Sequence, residues 1–377
     1  MTAFLSLHRV GLLAVLLLFG FASALHAQSF TTFDVSGSSN TFPAAISASG
    51  YITGSTHAIG SERSYGFVRE PNGTITTFDV PNVIEQVPGC PADDWTIFFT
   101  MATDINFAGE VVGRYMQASV SLLPNCTRLR GFLRKRNGTF TTFGGEWWPQ
   151  FLSQEQANWV GLATGNVTIN EIGHIAGYYG TDFEELGFVG FLRKRDGNIT
   201  TFGLPDKPAP NIEPITIPTA INVLDVVTGY WYDGITDRGF LRKRNGTIIK
   251  FDVPGSTDTN PTGIDWASNI TGYFQDANFN FLGFLRKRDG TFITFDVAGS
   301  GQTFPVAINA IGQITGVYLD SGFVYHGFLR EHDGTISTVD VPGSIYTSPT
   351  GINALGDITG SYTDASGRVH GFVRSAR

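Results

Sequence analysis

Residues 283–300 read "GFLRKRDGTFITFDVAGS", and close copies of this stretch recur along most of the 377-residue chain. The tetrapeptide Gly-Phe-Leu/Val-Arg begins at seven positions, which are Gly66, Gly131, Gly190, Gly239, Gly283, Gly327 and Gly371. The last three intervals between these glycines are 44 residues each, and the earlier ones are 65, 59 and 49. Such self-similarity is typical of repeat proteins, in which each repeat forms one structural unit.

Two further landmarks complete the repeat. One is "TTFDV", found at 31–35 and 76–80, and the other is "GINALGDITGSY" at 351–362, which is echoed at 307–318 and 104–115. The landmarks give four short runs rich in Ile, Val, Thr, Phe and Tyr, bounded by Gly, Asp, Asn or Ser. Each repeat therefore predicts four strands, named here A ("PTGIN"), B ("DITGSY"), C ("HGFLR") and D ("TISTVDV").

The link between strands C and D predicts a tight hairpin. In the opening stretch Asp289-Gly290 separates the two strand-like runs, and Asn-Gly takes the same place in other repeats. Both dipeptides favour a type I′ turn. Folding 283–297 about this turn places Phe284 opposite Phe295, as a cross-strand aromatic pair.

The residues of strand C predict how the units assemble. Phe and Leu are consecutive there, so both faces of the sheet are expected to be buried, and one unit alone cannot achieve this. A radial array of four-stranded sheets can, with about 40–45 residues per blade. We therefore predict an all-β, seven-bladed β-propeller over residues 28–377. A linear β-solenoid is the alternative, and it would need capping units that the sequence does not display.

The two ends of the repeat region bear on closure of the ring. The region begins with a lone D strand, "FTTFDV" at 30–35, and ends with a C strand, "GFVR" at 371–374. If the D–A link crosses between blades, the N-terminal strand joins the last blade and closes the ring. In the competing phase strand D is innermost, and no such exchange occurs.

The stretch "GINALGDITGSYTDASGRVHGFVR" at 351–374 resembles the extracellular HAF-type repeat, named for a His-Ala-Phe tripeptide. The corresponding tripeptides here are His326-Gly327-Phe328 and His370-Gly371-Phe372, with Gly in place of Ala. The resemblance covers nearly all of 30–374. It implies an exported repeat protein and brings no defined chemistry with it.

The N-terminal residues 1–27 predict a secretory signal peptide. Arg9 precedes the apolar run "VGLLAVLLLFGFASA", and small residues at Ala24 and Ala27 suit cleavage. An uncleaved anchor is the alternative, although the run is short for a membrane span. We expect a periplasmic or secreted protein with no later membrane span. In such a compartment Cys90 and Cys126, the two cysteines of the chain, are expected to form a disulfide.

Four insertions interrupt the repeat, at 81–102, 116–130, 144–166 and 204–217. By strand order the first, third and fourth are D–A loops and the second is a B–C loop, so all four are expected on one face. They hold four of the six tryptophans, namely Trp95, Trp147, Trp148 and Trp159. One reading is a binding surface on a rigid scaffold. The other is a small satellite core, with the tryptophans buried under their own loops.

The opposite face carries a basic pattern. Arg-Lys-Arg precedes the C–D turn at 134–136, 193–195, 242–244 and 286–288. An arc of these turns could bind a polyanion such as an acidic polysaccharide, or the charges could serve solubility alone. The first Arg of each copy recurs in every unit and is therefore expected to be structural. With a net charge of −8, the whole protein is not expected to bind nucleic acid.

The sequence predicts no catalytic residues, no metal and no cofactor. No metalloprotease, nucleophile-elbow or phosphate-loop motif occurs, and the calcium-like spacing in "DANFN" at 276–280 lacks the glycine that the loop needs. We predict a non-enzymatic binding module for an extracellular glycan or protein. The alternative is a secreted carbohydrate-active enzyme, a hydrolase or lyase, using insertion carboxylates such as Asp93, Asp94, Glu146 and Glu155.

Overall fold

The computed structural model describes residues 29–60, 63–82, 95–119, 127–144, 167–180, 187–204 and 215–376. All regular structure in these ranges is β, in 28 strands. Within the same ranges no helix is long and apolar enough to span a membrane. The all-β prediction is confirmed for the described residues.

The strands form seven units, each a meander of four antiparallel strands in the order A, B, C, D. Unit 1 comprises β2 (Ser38–Ile46), β3 (Ile52–Ala58), β4 (Ser64–Arg69) and β5 (Ile75–Phe78). Unit 2 comprises β6 (Trp95–Ile105), β7 (Val111–Ser119), β8 (Thr127–Arg134) and β9 (Phe140–Phe143). Unit 3 comprises β10 (Thr168–Ile169), β11 (Ile175–Gly180), β12 (Phe188–Arg193) and β13 (Ile199–Phe202).

The remaining units follow the same order. Unit 4 comprises β14 (Ile215–Ile221), β15 (Val227–Tyr232), β16 (Asp237–Arg242) and β17 (Ile248–Phe251). Unit 5 comprises β18 (Asp258–Ile264), β19 (Ile270–Gln275), β20 (Phe281–Arg286) and β21 (Phe292–Phe295). Unit 6 comprises β22 (Gln302–Ile308), β23 (Ile314–Leu319), β24 (Tyr325–Arg330) and β25 (Ile336–Thr338). Unit 7 comprises β26 (Tyr346–Ile352), β27 (Ile358–Thr363), β28 (Val369–Ser375) and, as its fourth strand, β1 (Ser29–Phe33).

Units 1 and 2 touch through a single parallel pairing, between Ser64 and Phe99, and units 3 and 4 through another, between Phe188 and Ile215. Each of these contacts involves one residue pair, whereas the antiparallel pairings inside unit 5 involve four to six. By these single pairings units 1 and 2 belong to one eight-stranded sheet and units 3 and 4 to another, whereas units 5, 6 and 7 are separate four-stranded sheets.

Strand A is the inner strand of every unit. A cavity of about 470 Å³ is lined by residues of all seven A strands, including Ala45, Asp104, Thr168, Ala220 and Gly263. The competing phase, with strand D innermost, is therefore wrong.

The Thr-Gly pair in strand B allows strand A to bulge inward. In unit 5 the pairing of β18 with β19 shifts between Pro261 and Gly263. A Cβ atom on Gly272 would lie only 2.2 Å from the carbonyl oxygen of Asn260, so glycine is required there. The neighbouring Thr271 is fully buried, and its hydroxyl donates a hydrogen bond of 3.0 Å to the carbonyl of Phe284.

The strand C phenylalanines are buried between adjacent units, as the Phe-Leu pattern predicts. All seven are at most 2% exposed. In five units the ring packs edge-on against the strand D phenylalanine of the preceding unit, with centroids 6.0 to 6.3 Å apart. Each sheet therefore buries its two faces against two different neighbours.

The C–D hairpin departs from prediction by one residue. Of the turn residues only Gly290 has a positive φ, of 94°, and Lys287 N donates to the carbonyl of Thr291. This is a three-residue loop with a glycine bulge rather than a type I′ turn. The extra residue shifts the register, so Phe295 lies opposite Gly283 and Phe284 lies opposite Thr294. The predicted pairing of Phe284 with Phe295 is therefore wrong.

Because of this register, the two phenylalanines of the opening stretch pack against different units. Phe284 belongs to the core cluster that contains Phe251 of unit 4, whereas Phe295 packs against Phe328 of unit 6. The two phenylalanines of the opening stretch thus join their unit to the units on either side.

The recurrent first arginine of the Arg-Lys-Arg pattern is structural. Arg286 is only 9% exposed, and its guanidinium lies 4.8 Å from the centroid of Phe251 in the preceding unit. The same cation–π contact occurs in five other units, through Arg69, Arg134, Arg193, Arg242 and Arg330. Burial lowers the pKa of each of these guanidinium groups. The arginine therefore covers the seam between adjacent units.

The N-terminal strand completes unit 7. β1 pairs antiparallel with β28 over five residue pairs, from Ser29 with Ser375 to Phe33 with Gly371. Phe30 packs against Phe372 with centroids 5.9 Å apart, and His370 Nδ1 lies 2.9 Å from a carboxylate oxygen of Asp34. The two ends of the repeat region are joined by these contacts.

Candidate functional site

The meander gives the fold two different ends. The A–B and C–D turns lie at one end, here named the turn face, and the B–C and D–A loops lie at the other, here named the loop face. The described strand ends that flank the four insertions lie at the loop face.

Most of the predicted site residues lie outside the described residues. These are Trp147, Trp148, Trp159, Cys90, Cys126 and the four insertion carboxylates. The backbone of Trp95 is described, as the first residue of β6, where it pairs with Ser119. Strands β6, β7 and β8 extend into the insertions predicted at 81–102 and 116–130, because residues 95–102 pair with β7 and Ala118 pairs with Thr127.

The sequence interpretation missed a cluster of tyrosines and aspartates below the loop face. Tyr178, Tyr230 and Tyr273 occupy the same position of strand B in units 3, 4 and 5, directly after its glycine. Burial, together with the charges of Asp237, Tyr178 and Tyr273, raises the pKa of Tyr230 to about 12. The phenol groups of three consecutive units are therefore close enough to interact electrostatically.

Two carboxylates accompany these tyrosines. The backbone N–H of Asp237 donates a 2.9 Å hydrogen bond to Oδ1 of Asp258, which joins units 4 and 5. Burial raises the pKa of Asp237 to about 6, and the charges of Asp258 and Asp233 contribute. Within the described residues, burial and charge alone account for the pKa values of Asp237, Tyr230 and Tyr273, with no hydrogen bond to their side chains. Asp237, Tyr230 and Tyr273 thus combine partial burial with raised pKa values, a combination that is common at functional sites.

The sequence does contain a signal for this cluster. The position of the three tyrosines holds Ser55, Arg114, Val317 and Ser361 in the other units. Departures from the repeat that consecutive units share indicate a local feature of the surface, even where no residues are inserted.

Apolar side chains stand at the tips of the described B–C loops. Ile59, Ile235, Phe279 and Phe323 are 70% to 83% exposed. Phe279 and Phe323 have positive φ angles of 65° and 61°, whereas the equivalent residue of unit 7 is Gly367. A left-handed backbone costs a bulky residue about 1 kcal/mol relative to glycine. Backbone preference therefore does not account for phenylalanine at these tips.

Basic side chains brace the B–C loops against strand D. In unit 4 Arg238 joins Asp233 to Asp252, with nitrogen–oxygen distances of 2.5 and 2.9 Å. In unit 6 His326 does the same between Asp320 and Asp340. Burial by itself lowers the pKa of His326, but the hydrogen bonds and charges of the two aspartates outweigh it and raise that pKa. These four carboxylates are already paired.

Asp104 is one of two acidic residues that line the central cavity, the other being Glu171. Asp104 occupies a strand A position that is Ala, Gly or Thr in the other units. Its Oδ2 accepts hydrogen bonds from the Thr168 hydroxyl at 2.7 Å and from Ile169 N at 2.9 Å. Burial raises its pKa to about 6, although these hydrogen bonds act in the opposite direction. Asp104 therefore fastens unit 2 to unit 3.

On the turn face, the predicted basic arc is present in part. The first Arg of each copy is turned inward over a phenylalanine, and the second and third residues are exposed. The exposed cations are Lys135, Arg136, Lys194, Arg195, Lys243, Arg244, Lys287 and Arg288.

Comparison with known proteins identifies the fold. No protein-family model matches the chain, and no curated protein matches it in sequence. Among solved structures, a virginiamycin B lyase from Staphylococcus aureus aligns with a TM-score of 0.53 and 14% identity, over 92% of this chain and 99% of that one. The β-propeller domain of the Trilobed protease from Pyrococcus furiosus aligns with a TM-score of 0.55 and 9% identity, over 89% and 97%. At these identities the likeness concerns the fold alone, and this chain has a β-propeller fold.

Proposed function

We propose that the chain is a seven-bladed β-propeller of HAF-type repeats, closed into a ring by its N-terminal strand. The pairing of β1 with β28 supports closure within unit 7. Contacts between the last and first units support it further, since the Thr350 hydroxyl donates to the carbonyl of Pro43 at 3.1 Å and Val369 N donates to Asn40 at 3.0 Å.

We further propose that the protein is exported, with residues 1–27 removed as a signal peptide and with Cys90 joined to Cys126. The apolar run after Arg9 and the small residues before position 28 support cleavage. Mass spectrometry of the mature protein, with and without reduction, tests both parts. A mature N-terminus upstream of residue 25, or free thiols at both cysteines, would contradict them.

The proposed activity is binding of an extracellular ligand at the loop face, most simply a glycan. The observation that carries this is the cluster of Tyr178, Tyr230 and Tyr273 with Asp237 and Asp258. Phenol and carboxylate groups exchange hydrogen bonds with sugar hydroxyls, and aromatic rings pack against the apolar faces of sugars. The exposed tips of the B–C loops and the tryptophans Trp95, Trp147, Trp148 and Trp159 would extend the same surface, and a protein ligand would use them as anchors.

A glycan array tests this function. The mature protein is screened together with the variants Tyr230→Phe/Tyr273→Phe and Trp147→Ala/Trp148→Ala. Tyr362→Phe in unit 7 is the matched control, because its ring contacts His370 rather than the tyrosine cluster. We expect a defined glycan to bind wild type and the control, and the first variant to lose about tenfold in affinity, as two hydrogen bonds are removed. Equal binding by that variant would contradict the assignment.

A carbohydrate-active enzyme is the second candidate, and one observation favours it. Asp237, with a pKa of about 6, lies beside Asp258, and a carboxyl group with a raised pKa paired with a second carboxylate is the arrangement used for glycoside cleavage. Incubation of array-positive glycans with wild type and with Asp237→Asn separates the candidates. Cleavage that is abolished by Asp237→Asn would establish the enzyme, whereas unchanged glycans support the binding module.

A further inference from the structure

The turn face has an apolar rim around the mouth of the central cavity. Every A–B turn from unit 2 to unit 7 presents one large apolar side chain that is 42% to 62% exposed. These residues, which define the apolar rim, are Phe107, Ile172, Leu224, Trp266, Ile311 and Leu355. The mouth that they surround is lined by neighbouring residues of the same turns, among them Asn170, Val223, Ala310 and Ala354.

The rim is rigid, because side chains tie each turn to the next. Asn170 Nδ2 donates to the carbonyl of Asn222 at 3.0 Å, and Asn222 Nδ2 donates to the carbonyl of Asp265 at 3.0 Å. The same bond links Asn309 to Asn353. Trp266 Nε1 donates to the carbonyl of Ala310 at 2.7 Å while the side chain stays exposed. The apolar groups are therefore held at the surface and cannot fold back into a core.

Cations flank the rim on one side. The eight exposed Lys and Arg side chains of the C–D turns belong to units 2 to 5, whose turn tips carry two exposed carboxylates, Asp196 and Asp289. Arg195 reaches Glu110 at the base of the A–B turn, and Arg136 lies over Tyr51, so the cationic turns adjoin the rim. The C–D turns of units 6 and 1 carry Glu331, Asp333 and Glu70 instead.

We propose that the turn face docks onto a lipid bilayer surface that displays anionic headgroups, with the sector of units 2 to 5 as its centre. Apolar side chains that project from a rigid face enter the boundary between headgroups and acyl chains, while adjacent Lys and Arg attract anionic lipid. A soluble polyanion would engage the cations but leave the apolar rim in water. The combination of both features is what selects a lipid surface.

The loop face does not share this chemistry. Its apolar tips Ile235 and Phe323 stand beside Asp233 and Asp320, which are paired with Arg238 and His326. In these two loops the basic side chain is bound to a carboxylate, whereas the eight Lys and Arg side chains of the turn face are exposed. The two ends of the molecule are thus suited to different ligands, and docking by the turn face leaves the loop face directed away from the membrane.

Vesicle co-sedimentation tests the proposal with the mature protein. The probes are vesicles of phosphatidylcholine alone and vesicles of phosphatidylcholine with phosphatidylglycerol, at low and at high salt. We expect binding to the phosphatidylglycerol vesicles only, with weakening at high salt. The variant Lys135→Glu/Lys194→Glu/Lys243→Glu/Lys287→Glu should lose at least a hundredfold in affinity, since each cation near an anionic surface contributes about fivefold.

The apolar rim is tested by Ile172→Ser/Leu224→Ser, which should weaken vesicle binding at least tenfold. Ile235→Ser on the loop face is the matched control and should bind as wild type does. Thermal unfolding of each variant confirms that it is folded. Absence of sedimentation with phosphatidylglycerol vesicles would overturn the proposal. So would wild-type binding by Ile172→Ser/Leu224→Ser together with displacement by soluble polygalacturonate, because the ligand would then be an acidic polysaccharide.

Discussion

At the residue scale, the repeat is specified by close contacts that admit one residue type. A Cβ atom on Gly283 would lie 2.6 Å from the ring of Phe295 and 3.0 Å from Pro305 of the next unit. The glycine of Gly-Phe-Leu-Arg therefore leaves the space that the ring of the strand D phenylalanine occupies. The spacing of glycine and phenylalanine is visible in the sequence, but the contact is not, because it depends on a one-residue bulge in the turn.

Replacement of that glycine should destabilise the fold. Gly283→Ala forces Phe295 from its position, and overpacking of this kind costs about 1–3 kcal/mol. The matched control is Gly203→Ala, because nothing lies within 4 Å of a Cβ atom there. We expect that control to change the free energy of unfolding by less than about 0.5 kcal/mol. Urea unfolding measures the free energy of unfolding of both variants. Equal losses would contradict the close packing of Phe295 on Gly283.

Asp104 gives a prediction for pH dependence. Its pKa is raised from 3.8 to about 6 in the folded state. Between these values the native state binds the proton more readily than the unfolded state does, so this group favours folding at low pH and its contribution is lost as pH rises toward 6. Asn cannot ionise. As pH rises from about 4 to about 7, wild type should therefore lose about 1–3 kcal/mol in free energy of unfolding that Asp104→Asn does not lose.

Urea unfolding at several pH values checks this expectation. Loss of one acceptor is expected to subtract a constant amount from the stability of Asp104→Asn at every pH. The diagnostic quantity is therefore how the difference in free energy of unfolding between variant and wild type changes with pH. Identical pH profiles for wild type and variant would show that Asp104 keeps an ordinary pKa.

At the element scale, the N-terminal strand is the part that the sequence places best. A lone D strand at 30–35 and a missing one at the end of the chain predict the pairing that β1 makes with β28. The loop length of the C–D hairpin does not follow from its sequence, since Asp289-Gly290 fits a two-residue turn and a three-residue turn equally well. Only the packing of Phe295 on Gly283 selects the longer loop.

Deletion of residues 29–35 should therefore destabilise the whole fold. It removes the contacts of the half-buried Phe30 with Phe372 and of the half-buried Phe33 with Phe67, and it removes the buried Val35. A fully buried side chain of this size contributes about 1.5–3 kcal/mol. We expect the melting temperature to fall by about 10 °C. Addition of a peptide of residues 29–36 should restore part of the loss, and a scrambled peptide should not. A melting temperature that the deletion leaves unchanged would contradict the role of β1.

At the scale of the whole molecule, the four-stranded units pack their faces against one another and leave two unlike ends. The sequence predicts the all-β class and the four-stranded unit, and the described residues show both. It does not predict the tyrosine cluster or the apolar rim by composition or motif. Both arise because substitutions such as Tyr230 and Trp266, scattered over many repeats, are brought together by stacking of the units.

The central claim is that the first and last strands of the repeat region lie side by side in one sheet. Thr31 is directly opposite Val373 in the pairing of β1 with β28. The most direct test is mild oxidation of Thr31→Cys/Val373→Cys followed by mass spectrometry of the peptides, with Thr31→Cys/Thr294→Cys as the control pair. Closure predicts a quantitative link within one chain between positions 31 and 373, and none between 31 and 294. Free thiols at positions 31 and 373, or links only between two chains, would contradict it.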